Sequence, residues 1–369
     1  MKIIKINMPE KPLLKLPSLP FIAKLAFALV SLIGLGYLLH LGQTILAPFF
    51  LAFLISMLFL PFANMLENKL KFGRGLSSIA SVFVMLLILC GLGYFFGSQI
   101  ADFSEDIPLL EKQFNVVFHQ LQGWISSSFH VNAEKQFAYI NNGVDRLLSS
   151  SGVILSFTLG LFSTGLGFFF FFILFFIFIL NYRRVLYQFI INIFSDSHKS
   201  KVREVVNEVQ QMTKKYIIGL CIQIVIVSAL TMLMLSLIGV KYALLLGVLT
   251  GLLNVIPYIG VFSSMLVSML IAFATGAPVT SLYVLIGYII MHAIDGNIVL
   301  PFVVGSKVKI NALFSFIGIL VGEHLWGISG MFLCIPALAI IKIVFERIES
   351  LQPWGQVLGE GTNPDKKGH

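Results

Sequence analysis

The chain has 369 residues, is 57% hydrophobic and only 11% charged, and carries a formal net charge of +8. Soluble domains carry about a quarter charged residues, so this composition excludes a soluble enzyme and sets the class as an integral membrane protein. The basic balance does not mark a nucleic-acid surface, because Lys and Arg gather in short loops between apolar runs.

A bilayer core about 30 Å thick takes about 20 apolar residues per helical span. After a tail bearing Lys2, Lys5, Lys11 and Lys15, the first such run covers residues 22–39. No small-residue cleavage site follows it, so it is expected to be a retained first span and not a signal peptide. The uncharged connection 40–44 leads into a second run at 45–62, and Lys69, Lys71 and Arg74 separate that from a third at 78–96. Residues 1–98 thus form a basic tail and three spans. None of the runs alternates polar with apolar residues as a barrel strand would; 168–178 is almost wholly Phe with Ile and Leu.

Residues 99–152 form an insert in which Lys112, Lys135 and Arg146 stand against six acidic residues. Leu110, Phe114, Val117, Phe118, Leu121 and Trp124 recur at helical spacing, as do Phe137, Ile140, Val144 and Leu147, which predicts two amphipathic helices. An independent soluble domain is the weaker reading, because so few residues bury too little surface. A fourth span at 153–182 follows. Residues 183–215 then carry seven Lys and Arg, with Val202, Val205, Val206, Val209, Met212 and Tyr216 as the apolar stripe of a helix that runs on into a span at 217–238. The positive-inside rule places the N-terminal tail, the 67–74 loop and 183–215 in the cytoplasm, and 40–44 and 99–152 outside. Both termini, including a polar tail at 350–369, are expected to be cytoplasmic.

Within 216–349 the pattern changes beyond Lys241. Apolar segments at 244–256, 258–274, 279–293, 298–304, 312–321 and 328–345 are short and interrupted by Gly, Pro, Asn and ionisable residues. Such pieces do not each cross a bilayer, so some are expected to be half-helices or re-entrant hairpins that face protein or a watery cavity. The fold class is therefore an all-α polytopic membrane protein of about eight segments, with broken elements in its C-terminal third.

Two interruptions resemble each other. Asn254, Pro257, Tyr258 and Gly260 follow the same order of Asn, Pro, aromatic and Gly as Asn297, Pro301, Phe302 and Gly305. Proline opens the helical hydrogen-bond ladder, glycine permits a bend, and Asn can satisfy freed backbone groups or hold a solute. Paired breaks of this kind point to a transport site, although kinks that merely let helices pack would read alike. A charge within hydrocarbon costs about 2.5 kcal/mol or more, so intramembrane ionisable residues tend to pair or to face a pathway. His292 and Asp295, three apart, and the neighbours Glu323 and His324 are candidates on that ground, with Asn311 as a further polar group. The bland reading places Asp295 near an interface and Glu323–His324 in an exposed turn.

Other chemistries lack their motifs. There is no G-x-x-x-x-G-K-[ST] loop, no metal-ligand spacing of His, Cys or Asp and no G-x-S-x-G nucleophile, so no catalytic residue and no cofactor is expected. Cys90, Cys221 and Cys334 lie one to each apolar segment as small core residues.

The stretches ALLLGVLTGLLNVIPYIG (243–260), DGNIVLPFVVGSKV (295–308) and ILVGEHLWGISGMFLCI (319–335), in this order and spacing, resemble the autoinducer-2 exporter (PerM-like) family of bacterial permeases. The resemblance covers most of the chain. It implies about eight segments with inverted, elbow-like helices, location in a bacterial inner membrane, assembly as a homo-oligomer such as a pentamer, and export of autoinducer-2 or sodium/proton exchange. It maps the family's helix break to Pro257 and Gly260, its acidic element to Asp295, Asn297 and Pro301, and its glycine run to Gly322, Gly327 and Gly330. Glu323 stands where many members have a small residue, so a site there would be peculiar to this chain.

The leading expectation is efflux of a small polar solute with Asp295 as the binding or coupling group. Cation/proton antiport is the close alternative, and a membrane scaffold whose helices bind partners is the distant one. The expected partners are membrane lipids, a small polar solute or cation, and further copies of the chain, with no nucleic acid.

Overall fold

The computed structural model describes residues 20–104, 116, 151–256, 259–303 and 310–359 of the chain. The insert's two expected helices, the basic N-terminal tail, Pro257, Tyr258 and Gly305 lie outside the described residues. The chain divides into two compact units, Met1–Gly42 and Gln43–His369. The first holds α1 (Phe21–Leu41), which buries none of its residues and is apolar all round, as a lipid-facing span is.

The second unit is built from helices throughout its described residues. Three long ones, α2 (Gln43–Lys69), α3 (Arg74–Ser104) and α4 (Ser151–Asn192), pack through an aromatic core. The phenylalanine run of α4 explains this core: Phe176 meets Phe59 and Phe175 meets Phe49 edge-on at ring separations of 5.4 and 5.3 Å. Small residues make the approach possible, with Ala52 and Ala63 on α2 and Ser77, Ser78 and Ser81 on α3 fully buried.

As the valine stripe predicts, the basic amphipathic helix and the following span are one helix, α5 (Asp196–Ile238). It ends at Gly239, whose positive φ of 82° closes the turn. The chain then reverses into α6 (Ala243–Leu253), packed antiparallel along α5, where a Cβ on Gly251 would stand 2.5 Å from the Ile224 carbonyl. At 11 residues, α6 reaches only about 16 Å, half a bilayer core. From its tip, whose described residues are 254–256, the chain returns as α7 (Ile259–Thr275), with Leu246 packed in one cluster with Ile271 and Ala272. Thus α6 and α7 form a re-entrant hairpin. It starts on the side where α3 ends, since the Tyr242 hydroxyl donates to the Asp102 carbonyl at 3.0 Å.

Helix α8 (Pro278–Ile294) crosses back and does not stop where the sequence suggests. The expected segments 279–293 and 298–304 are joined by a π-helical turn, Asp295–Val299, and the short α9 (Leu300–Val303) into one 25-residue apolar run. Pro301 supplies the reason. It has no N–H for the Asn297 carbonyl and its ring crowds that oxygen, so the preceding turn widens, with Leu300 N–H bonded to Asp295 O.

The last long element, α10 (Ala312–Arg347), is two helical limbs joined at a sharp bend. Trp326 and Gly327 leave helical geometry, Gly327 at φ 59° and ψ −138°, a conformation open to glycine. The limbs 312–325 and 328–347 fold back on one another, with Gly322 against Gly330 and Gly318 against Leu338 and Cys334. Length and hydropathy alone would make α10 a single span; its first limb, about 21 Å long, falls short of crossing. Both ends of this second hairpin lie on the side of the basic N-terminal part of α5. Arg347 pairs with Glu204 at 2.8 Å and Glu208 at 2.7 Å on α5, and Asn311 N–H donates to Leu358 O of α11 (Gln352–Leu358) at 2.9 Å. The two hairpins therefore dip in from opposite sides, as expected for a broken C-terminal third; the helix α11 within the supposed polar tail is an addition.

Candidate functional site

Near mid-depth, three polar side chains meet from three elements. Gln223 belongs to the packed face of α5, one turn from buried Leu220 and Val227. Asn254 is the residue at which α6 ends, and Asp295 opens the π-turn. Asp295 is 7% exposed and Gln223 6%. The Gln223 amide Nε2 donates to both carboxylate oxygens of Asp295, at 3.0 Å to Oδ1 and 3.2 Å to Oδ2. Asn254 Nδ2 donates to Oδ2 at 2.9 Å.

The local fold explains each position. The broken tip of α6 frees Asn254 from a helical face. The buried stripe of α8 runs through Val284, Tyr288 and Met291 to Asp295, and across the widened turn Asp295 and Val299 are buried while Gly296, Asn297 and Ile298 are exposed. A buried carboxylate without partners is costly, and amide donors reduce that cost without cancelling the charge. The site therefore holds the carboxyl oxygens of Asp295 within the apolar interior on two amide donors, partners that a cation or the hydroxyls of a solute could replace.

One turn before Asn254, a second polar group continues along the α6–α7–α8 interface. The fully buried Tyr288 hydroxyl lies 2.7 Å from both Thr250 Oγ1 and Ser268 Oγ. Thr250 gives its only proton to the Leu246 carbonyl, also at 2.7 Å. Tyr288 must then donate to Thr250 and receive from Ser268, so every hydroxyl is matched. This group locks the first hairpin to α8.

The tip of the first hairpin touches the second. Val255 packs with Leu54, Tyr216, Leu333 and Trp326, and Ile256 with Ile319, Met331 and Cys334. Trp326, at the bend of α10, stacks on Phe50 of α2 at 5.6 Å. The carboxylate–amide cluster thus sits at the tip of one hairpin, and that tip rests on the other.

The remaining sequence candidates separate from this cluster. His292 is exposed although it lies three residues before buried Asp295, so the expected His292–Asp295 pair does not form. Asn297 is exposed and its amide caps the Ala293 carbonyl at 2.8 Å; Pro301 is exposed and acts through the backbone. Asn311 N-caps α10 by accepting from Leu313 N–H at 2.9 Å. Glu323 and His324 are exposed on the turn before the bend, which is the bland reading of that pair. Gly260 is buried at the start of α7 against the Leu253 carbonyl, while Pro257 and Tyr258 fall outside the described residues. Gln223 and Tyr288 were not among the candidates. The signal for Gln223 was available: it is a lone amide within the apolar run 217–238, where a polar side chain needs a partner.

Residues 25–350 match the family described as AI-2E family transporter. A putative transport protein of Bacillus subtilis (strain 168), YrrI, is 26% identical over 318 residues, 82% of this chain and 86% of its own. The AI-2 transport protein TqsA of Escherichia coli (strain K12) is 22% identical over 356 residues, 91% of this chain and 94% of its own. The putative permease PerM of the same bacterium is 28% identical over 160 residues, 42% and 44% of the two chains.

Proposed function

The chain belongs to the AI-2E transporter family, and from that premise we propose that it exports a small, hydroxyl-rich polar solute, of the autoinducer-2 kind, by way of the Asp295–Asn254–Gln223 cluster. The observation that carries this reading is the buried carboxylate held by two amides where the hairpin tip meets the opposite hairpin. A solute with several hydroxyls can replace the amide donors one by one, so that the carboxylate exchanges partners without becoming bare. The cluster is closed to solvent, so the hairpin tips must part for a solute to reach it, and alternate parting from opposite sides gives alternating access. Comparison with TqsA supports the solute class; its name concerns that protein.

The same cluster favours a second reading, cation/proton antiport. Rotating both amides presents two carbonyl oxygens beside the carboxylate, an oxygen set suited to a sodium-sized cation. The shared side of Arg347 and the basic segment supports a cytoplasmic C-terminus in a bacterial inner membrane. Purified protein in liposomes separates the readings. Release of a labelled autoinducer-2 mimic without proton movement supports the exporter. Proton movement triggered by added sodium, with no release of the mimic, overturns it in favour of the antiporter.

A further inference from the structure

We propose that a cavity at the cytoplasmic end of α2, α4 and α5 is a binding site for the headgroup of an anionic phospholipid, with a groove along α4 for its acyl chain. The cavity measures about 490 Å³ and receives Arg183 and Arg184 from α4 and Arg203 from α5. Its apolar lining includes Leu60 and the buried Ile179 and Leu180, and Arg184 and Arg203 are its exposed basic residues. It therefore spans the level at which the apolar stretch of α4 gives way to polar sequence.

The charge does not cancel within the cavity. Glu67 is committed to Arg183 at 2.8 Å and reaches Arg184 only at 3.4 Å. Among the described residues Arg203 has no acidic partner. Two exposed guanidiniums thus face one space, and a guanidinium matches phosphate oxygens in a two-pronged geometry.

A second, separate cavity points to a lipid and not to a soluble phosphate. About 270 Å³ in volume, it is lined by Phe170, Ile173, Leu174, Ile177 and Phe178 of α4, with almost no polar surface. These positions share one helical stripe, and the same stripe continues through Asn181 to Arg184 and Gln188. Phe170 to Arg184 is roughly 21 Å along the helix, about the thickness of one leaflet with its headgroup region. Apolar groove and basic cavity are therefore in line on one helix face.

The test is native mass spectrometry of the purified full chain titrated with phosphatidylglycerol or phosphatidylcholine. A basic residue at an anionic surface contributes roughly a five-fold preference, so the wild type should hold phosphatidylglycerol some twenty- to thirty-fold more tightly than phosphatidylcholine. The double variant Arg184→Gln/Arg203→Gln should lose most of that preference, and Lys201→Gln/Lys214→Gln, of equal charge change on exposed positions of α5, should keep it. The proposal is overturned by absence of a preference in the wild type, by its survival in the arginine variant, or by equal loss in the lysine variant. It is also overturned if sn-glycerol 3-phosphate at matching concentration displaces the lipid, because the cavity would then serve a soluble phosphate.

Discussion

Substituting Gly330 by Ala tests the re-entrant geometry of α10. A Cβ on Gly330 would lie 2.6 Å from the Gly322 carbonyl carbon and overlap its oxygen. Carbon atoms in ordinary contact stand about 3.5 to 4.0 Å apart, so the limbs must separate by about 1 Å, and a gap of that size forfeits up to about half of each contact's attraction. Because the obstructing atoms are backbone, no side chain can rotate away, and the expected cost is about 1–3 kcal/mol. The substitution Gly296→Ala is the matched control, since a Cβ there meets nothing within 4 Å. Thermal denaturation in detergent, followed by the fraction remaining monodisperse on size exclusion, should show a lower midpoint for Gly330→Ala and an unchanged or slightly raised one for Gly296→Ala. Equal midpoints for Gly330→Ala and wild type would refute the close limb contact, and with it the reading of α10 as a hairpin.

Three further outcomes follow from the same geometry. Gln223→Leu removes two of the three hydrogen bonds to Asp295 and should reduce solute flux as severely as Asn254→Leu, whereas His292→Ala and Glu323→Gln, at exposed positions away from the cluster, should leave flux within two-fold, a margin of about 0.4 kcal/mol. Tyr288→Phe leaves Ser268 without its partner in a fully buried place and should cost about 1–3 kcal/mol in the denaturation assay. Arg183→Gln leaves the nearly buried Glu67 with only its longer contact to exposed Arg184 and should destabilise by up to about 3 kcal/mol, while Arg347→Gln breaks exposed pairs worth about 1 kcal/mol or less each; the order of the two midpoints checks the burial assigned to each pair.

The long spans were legible because length and hydropathy decide them: an apolar run that exceeds the bilayer thickness has few alternatives. The valine stripe of α5 was legible for a related reason, as apolar residues at helical spacing fix one face. The broken third was harder. Short apolar segments announce that hairpins exist, yet the motif from Asn297 through Pro301 reads as a helix break in the sequence, whereas in the structure Pro301 widens one turn of a run that continues to Val303. His292 and Asp295 differ in exposure because the buried stripe of α8 runs through Tyr288, Met291 and Asp295, and His292 lies to the side of it. Gln223 escaped notice because its meaning depends on Asp295, 72 residues away in sequence, and the Tyr288 group because a tyrosine in an apolar run looks like packing until Thr250 and Ser268 are brought beside it.

The measurement that bears most directly on the Asp295 cluster is flux of a labelled autoinducer-2 mimic from liposomes containing equal amounts of folded wild type or Asp295→Asn. The substitution keeps the side chain's shape and removes its charge. Loss of flux, with thermal stability retained, is the predicted result; flux equal to that of the wild type would contradict the assignment of Asp295 as the group that meets the solute.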